Sequence, residues 1–284
     1  MKTRWRVYLL LMVFWLASGG ASRAVLLVYE GFNYPIGTNG PDPDGGTNGG
    51  NGLPATNEGG EPAGTGTGLR GAWGETVLVR EGLAYVQGSN VLATSGGAGA
   101  ITNAGWGQGV HVYRFMRQDP FQRFRTGQDA GGSLGEDGTV LYVSLLIKLD
   151  EGWAPGTVAQ VAIGAEEANG NIYVGVNTAG VAGDHWGMTR GATGDGAATS
   201  AAAKPGETVL LVLRYTFGAA NADQVELWVN PPLRGELGNA MAVVSGGNFA
   251  ITGFNTRPSA ARAMAIDELR VGETAADVMP LAGP

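Results

Sequence analysis

Between residues 139 and 149 the chain sets Leu141, Val143, Leu145, Ile147 and Leu149 two positions apart, with Tyr142, Ser144 and Lys148 between them. A period of two places these sets on opposite faces of a β-strand, so one face of this strand lies on a core. Residues 207–217 are apolar on nearly both faces, as in a central strand covered on two sides. In 223–230, Val225, Leu227 and Val229 alternate with Glu226, Trp228 and Asn230. Further β-rich runs at 25–32, 76–86, 110–116, 158–163, 172–176, 248–254 and 263–271 stand between clusters of Gly, Asn, Asp and Pro. About ten strands without intervening helices predict an all-β fold closed into two packed antiparallel sheets.

The first residues read differently. Lys2, Arg4 and Arg6 precede an apolar run at 7–17 and a small-residue stretch at 18–24, the three-part layout of a secretory signal peptide. Ser22 and Ala24 fit a cleavage site after Ala24, and Gly19 and Ala21 offer a second one after Ala21. The apolar run falls well short of the roughly 20 residues that a bilayer-spanning helix needs, and no later segment comes near that length. The expectation is a signal peptide at 1–24, then one domain at 25–284 without a membrane span, exported to an extracellular or periplasmic location. Within that domain the segment 37–71 is long, irregular and rich in glycine, which marks a functional or mobile surface loop.

Composition narrows the partners. The net charge of −7 becomes −11 once the four basic residues of 1–24 are removed, and an acidic chain is a poor ligand for nucleic acid or for anionic membranes. The chain has no cysteine, so an exported form relies on its core and not on disulfides. Glycine, at 50 of 284 residues, indicates many turns.

Four segments carry a resemblance: Leu27-Val28-Tyr29-Glu30-Gly31-Phe32-Asn33-Tyr34-Pro35-Ile36-Gly37, Gly138 to Ser144, Val225-Glu226-Leu227-Trp228-Val229-Asn230-Pro231 and Ile266-Asp267-Glu268-Leu269-Arg270-Val271-Gly272. Together they resemble a group of exported bacterial proteins with a concanavalin A-like (LamG-like) jelly roll, over nearly the whole of 25–284. The resemblance implies a two-sheet antiparallel jelly-roll sandwich of the lectin/glucanase type. It implies no single activity, because that fold hosts lectins, adhesion modules, glycosidases and lyases. Many members of the group close on a sorting anchor. This chain departs from them in ending on Leu281-Ala282-Gly283-Pro284, which implies release from the membrane or retention by other means.

Catalytic motifs are sparse. Adjacent acids such as Glu166-Glu167 and Asp267-Glu268 point to opposite faces if extended, whereas a glycosidase pair must share one. The strings around Ser133 (G-x-S-x-G) and at 66–71 (G-x-G-x-x-G) lack the strand-to-helix context that would give them meaning. His111 and His185 are far apart, which supplies a zinc site poorly, and His111 in its strand-like run reads as packing. In Gly183-Asp184-His185-Trp186-Gly187, an exposed indole beside hydrogen-bonding groups would suit a sugar ring, and the alternative is a core or sheet-edge tryptophan. Arg114 and Arg117, with Arg123 and Arg125, interleave with Tyr113, Phe115, Phe121 and Phe124; they would contact an anionic polysaccharide or else lie on the solvated side of a strand.

No cofactor is fixed by the sequence, and calcium is the one left open. Asp42, Asp44 and Asn48 offer oxygens in the glycine loop, as do Asp129, Glu136 and Asp137, and neither set has the spacing of an EF-hand. The reading that follows is a secreted, non-catalytic module binding a glycan or cell-surface polymer. A structural or adhesion component of the envelope is the alternative, and a divergent polysaccharide hydrolase or lyase is the third.

Overall fold

The computed structural model describes residues 26–32, 69–70, 77–101, 112–116, 134–164, 171–176, 183–191, 194–258 and 264–283. Their strands form two large antiparallel sheets. The first runs in the order β15 (Ala242–Gly247), β14 (Asp223–Val229), β13 (Thr208–Thr216), β8 (Val140–Leu149), β17 (Met264–Gly272), β6 (Gly97–Ile101) and β3 (Val77–Glu81), with β1 (Leu26–Glu30) also paired to β17. The second runs β12 (Gly196–Ala202), β11 (His185–Arg190), β10 (Ile172–Val176), β9 (Ala159–Ile163), β16 (Gly253–Pro258), β7 (Val112–Met116) and β2 (Leu69–Arg70). A small hairpin, β4 (Val86–Gln87) and β5 (Asn90–Val91), and a one-turn helix, α1 (Ala275–Val278), complete the elements. These are the two packed antiparallel sheets that the alternation predicts, in the sandwich that the resemblance implies.

The core between the sheets takes the face of β8 that the pattern assigned to it: Leu141, Val143, Leu145, Ile147 and Leu149 are all fully buried there. Leu211 and Leu213 of β13, Ile172, Val174 and Val176 of β10, and Ala159, Val161 and Ile163 of β9 join them. Each large aliphatic side chain so buried contributes about 1.5–3 kcal/mol. The opposite face of the first sheet is apolar too, since Leu146, Leu210, Val212 and Trp228 sit under Leu83, Tyr85, Leu92, Leu233, Val278 and Met279. That second layer explains why 207–217 is apolar on both faces.

α1 belongs to this cover. Thr274 and Asp277 form a reciprocal capping box at its start, and Ser144 Oγ donates to the carbonyl of Val278 at 2.6 Å, which fastens the helix to β8.

Several boundaries differ from the sequence pattern. The run 76–86 breaks after Glu81, at Gly82, where a Cβ would stand 2.6 Å from the carbonyl oxygen of Gly96, so the backbones approach too closely for any side chain. In 248–254 the regular strand starts only at Gly253, and Ile251 forms an isolated bridge with Leu134. Strands β6, β11, β12 and β15 were not anticipated at all. The expected signal peptide at 1–24 and residues 37–68 of the glycine-rich segment lie outside the described residues, and Leu69–Arg70 form β2. Among the described residues no helix is long and apolar enough to cross a membrane.

Candidate functional site

The outer cover of the first sheet leaves a cavity beside β3. Ala100 of β6 pairs with Ala265 of β17, and Ala265 pairs on its other side with Lys148 of β8. Two methyl groups are thus followed by one ammonium, over two strand spacings or about 10 Å. They form the floor of a cavity of about 570 Å³, walled by Leu83 and rimmed by Arg80, Glu81, Asp150 and Glu151; Leu149 and Met264 also line it, with their side chains turned into the core between the sheets. That volume lies within the range of small-ligand sites, roughly 300–1,000 Å³.

The rim has an internal contact. Arg80 Nη1 reaches across from β3 to Asp150 Oδ2 at 3.9 Å, with both side chains somewhat over a third exposed. Such a pair is worth well under 1 kcal/mol and is readily exchanged for a ligand group. Asp150 Oδ1 also accepts the amide N–H of Gly152 at 3.1 Å, which fixes the turn after β8. Glu81 and Glu151 are exposed.

Beneath the Leu83 wall lies a cluster of buried ionisable groups on β17. The register of β17 against β8 slips between Asp267 and Arg270, and Glu268 takes φ 51°, so this segment is a β-bulge. Asp267 accepts N–H groups from Leu83 at 2.8 Å and from Glu268 at 2.7 Å. Glu268 accepts from the Ser95 N–H, from the Tyr29 hydroxyl at 3.2 Å and from Arg270, and Arg270 also lies over the Tyr29 ring. Burial pushes the Asp267 carboxyl up to about 8, against the pull of its two N–H donors. Burial likewise raises Glu268, with the Arg270 charge opposing, and raises the Tyr29 phenol. Its partners are backbone groups, its own members and the Ser95 hydroxyl, which makes it a lock joining β1, the 93–95 segment and the Gly82–Leu83 turn. The inference that Asp267 and Glu268 point to opposite faces assumed an extended backbone, and the bulge removes that assumption.

No protein-family model matches the chain, and no curated protein matches it either. Solved structures similar to it include domain 4 of AbnA, a GH43 extracellular arabinanase from Geobacillus stearothermophilus, in complex with arabinotriose. That chain is 15% identical, with a TM-score of 0.40 over 90% of this chain and 97% of its own. A double mutant of the alginate lyase Aly36B in complex with alginate tetrasaccharide is 11% identical, with a TM-score of 0.42 over 88% and 97%. An endo-β-1,4-glucuronan lyase from the fungus Trichoderma reesei is 12% identical, with a TM-score of 0.36 over 70% and 93%. These likenesses assign no residue of this chain a role.

The residues singled out in the sequence do not converge on the cavity. Trp186 is 1% exposed and lies in the core with Met188, because the alternation of β11 turns both inward. Of the two readings of this tryptophan, sugar stacking or core packing, its burial fits packing. Asp184 is partly exposed, and its Oδ1 accepts the N–H of Gly156 at 3.0 Å, a loop-to-loop tie. His185, also partly exposed, opens β11. Arg114 is on β7 in register with Phe254, and its side chain lies outside what is described. Arg117, Asp42, Asp44, Asn48, His111 and Asp129 lie outside the described residues altogether. Glu136 and Asp137 are exposed in the turn before β8. Among the described residues no group of three or more acids and histidines is placed to hold a metal ion.

The sequence pattern gave no prominence to Arg80, Glu81, Asp150 or Glu151. Lys148 was visible as a polar residue on the outer face of β8. The signal that would have found the site is the pairing of two alanines beside a lysine across three strands, which needs the register.

Proposed function

We propose that this chain is a non-catalytic binding module that holds a short stretch of glycan in the cavity on the outer face of the first sheet. One observation carries the reading: Ala100, Ala265 and Lys148 lie side by side on the sheet within a rim of one cation and three carboxylates. A sugar ring offers an apolar C–H face and a fringe of hydroxyls that both donate and accept. The floor suits the face, and Arg80, Lys148, Glu81, Asp150 and Glu151 suit the fringe. The leader-like segment 1–24 supports export, which would put the module where polysaccharides are.

Three carboxylates around one cavity also invite a hydrolase reading. A glycosidase needs one carboxyl held protonated by its surroundings beside one that stays ionised. Glu81 and Glu151 are exposed, and Asp150 is paired with Arg80. That arrangement favours binding over hydrolysis.

The test is a glycan array with the purified chain, in calcium and again with a chelator, for the wild type and for Ala265→Leu, which fills the floor. Binding by the wild type, lost in Ala265→Leu while its thermal unfolding is retained, is the expected result. An array silent in both conditions, or a variant that binds like the wild type, defeats the reading. Loss on chelation would bring calcium into recognition, and release of reducing ends from a bound oligosaccharide would replace the module with an enzyme.

A further inference from the structure

Resting on that glycan-binding reading, we infer that the cavity selects a sugar bearing a single carboxylate, a uronic acid residue, which Lys148 anchors from the floor. Lys148 is one of only three lysines in the chain. It stands on the sheet surface between Ala265 and Thr208 in register, partly buried, and it forms no ion pair with any described residue. The contrast with its neighbours is what gives it direction. Arg80 already has Asp150, whereas Lys204 at the other side of the same sheet end has Glu207 at 3.7 Å. With no counter-ion among the described residues, its ammonium is free to pair with an anion arriving there.

The position of the charges decides which anion. Lys148 is rooted in mid-sheet, on β8 between Ala265 and Thr208, whereas Glu81 ends β3 and Asp150 and Glu151 follow the end of β8. An anionic group inserted to the floor meets the ammonium first. Further charges on the same ligand, lying level with the rim, meet three carboxylates. The lining as a whole carries two positive and three negative side chains, so it tolerates one negative charge and repels a dense polyanion. A sugar carboxylate held by Lys148 leaves the ring over Ala100 and Ala265, and its hydroxyls within reach of the acceptors at the rim. Arg80 can leave Asp150 for the same carboxylate, because their contact is loose and exposed.

The test compares oligosaccharides that carry one uronate residue with the same compounds after carboxyl reduction, which turns the uronate into the neutral hexose and changes nothing else. Titration calorimetry with the intact chain should show the uronate forms binding at least tenfold more tightly at low salt. The gap should shrink on raising the salt. Lys148→Met keeps the length of the side chain and should bind both forms alike, at the affinity of the reduced form. Lys148→Arg should keep the preference, and matched unfolding temperatures show that each variant is folded. Equal affinity of the wild type for both forms, or a preference that survives in Lys148→Met, overturns the inference. If only neutral glycans bind on the array, Lys148 has no such role and the glycan-binding reading stands. If no glycan binds, both fall.

Discussion

The amide N–H of Leu83 donates to Oδ2 of Asp267 at 2.8 Å across 184 residues of sequence, so a wall of the cavity is fastened to a buried carboxyl on β17. The turn that presents Glu81 beside the trough therefore depends on the bulge in β17. Gly82 permits the contact, lying so close to Gly96 that no side chain fits between. A surface feature is in this way controlled by a residue that no ligand touches.

Asp267 gives the fold a pH dependence of predictable sign. Its carboxyl is raised to about 8 in the folded chain, by burial first, and returns to its ordinary value near 3.8 on unfolding. Between those values the folded form keeps a proton that the unfolded form releases, so stability falls as pH rises, by up to about 1.4 kcal/mol per pH unit. The contribution is fully present below about pH 4 and gone above about pH 8. Asp267→Asn removes the titration and costs one of the two N–H contacts, about 1 kcal/mol. Urea unfolding at pH 5, 6.5 and 8 should show the variant less stable at pH 5 and level with the wild type, or above it, at pH 8. An unchanged slope in the variant would assign the dependence to another group.

Arg270 is the counter-charge of the cluster. It is 4% exposed, paired with Glu268 and set 5.3 Å over the Tyr29 ring. Arg270→Met leaves Glu268 buried and unpaired, a loss of about 3–5 kcal/mol. Because protonation of Glu268 relieves part of that cost, the loss should be smaller at pH 5 than at pH 8. Adding Glu268→Gln to Arg270→Met should recover a large part of it. A double variant as unstable as the single one would show that the stacking on Tyr29, and not the charge pair, is what matters.

Much of the fold was legible because burial on a sheet writes a period of two. β8, β13 and β14 were found with their faces correctly assigned, since their residues are large, branched and covered on known sides. β12, Gly-Ala-Ala-Thr-Ser-Ala-Ala, was invisible: its small side chains have weak strand preference, and as an edge strand it is only half covered. β6, Gly-Ala-Gly-Ala-Ile, is hidden for a different reason. A Cβ on Gly99 would run into the Phe32 ring at 2.4 Å, so glycine is required where a strand pattern would show a larger residue. The site was less legible than the fold. Its floor is made of the least informative residue type, and its rim comes from β3, β8 and the turn after β8, which only pairing registers bring together.

Trp186 separates packing from recognition. Its indole is buried against the core of both sheets, and Thr199 Oγ1 donates to its carbonyl oxygen at 2.8 Å, holding β12 to β11. Trp186→Ala should cost about 3–5 kcal/mol of stability through the cavity it leaves. A variant that loses glycan binding with its unfolding midpoint unchanged would reverse this assignment.

Tyr215 is the opposite case, a buried group whose polar atom does nothing for the fold. It is 1% exposed in the inter-sheet core, and its ring lies 5.9 Å from that of Phe217, the planes 22° apart. Among the described residues the hydroxyl has no hydrogen-bond partner, and burial pushes its ionisation far above the ordinary range. A hydroxyl moved from water to such a place loses its hydration without return, at a cost of about 1–3 kcal/mol. Tyr215→Phe keeps the ring and removes that penalty. The variant should be at least as stable as the wild type, by up to about 1 kcal/mol in urea, with the same m-value. Tyr215→Leu gives up the aromatic contact as well and should fall below both, by about 1 kcal/mol or more. A clear loss in Tyr215→Phe would mean that the hydroxyl finds a partner in solution, an internal water bridging it to the backbone being the simplest.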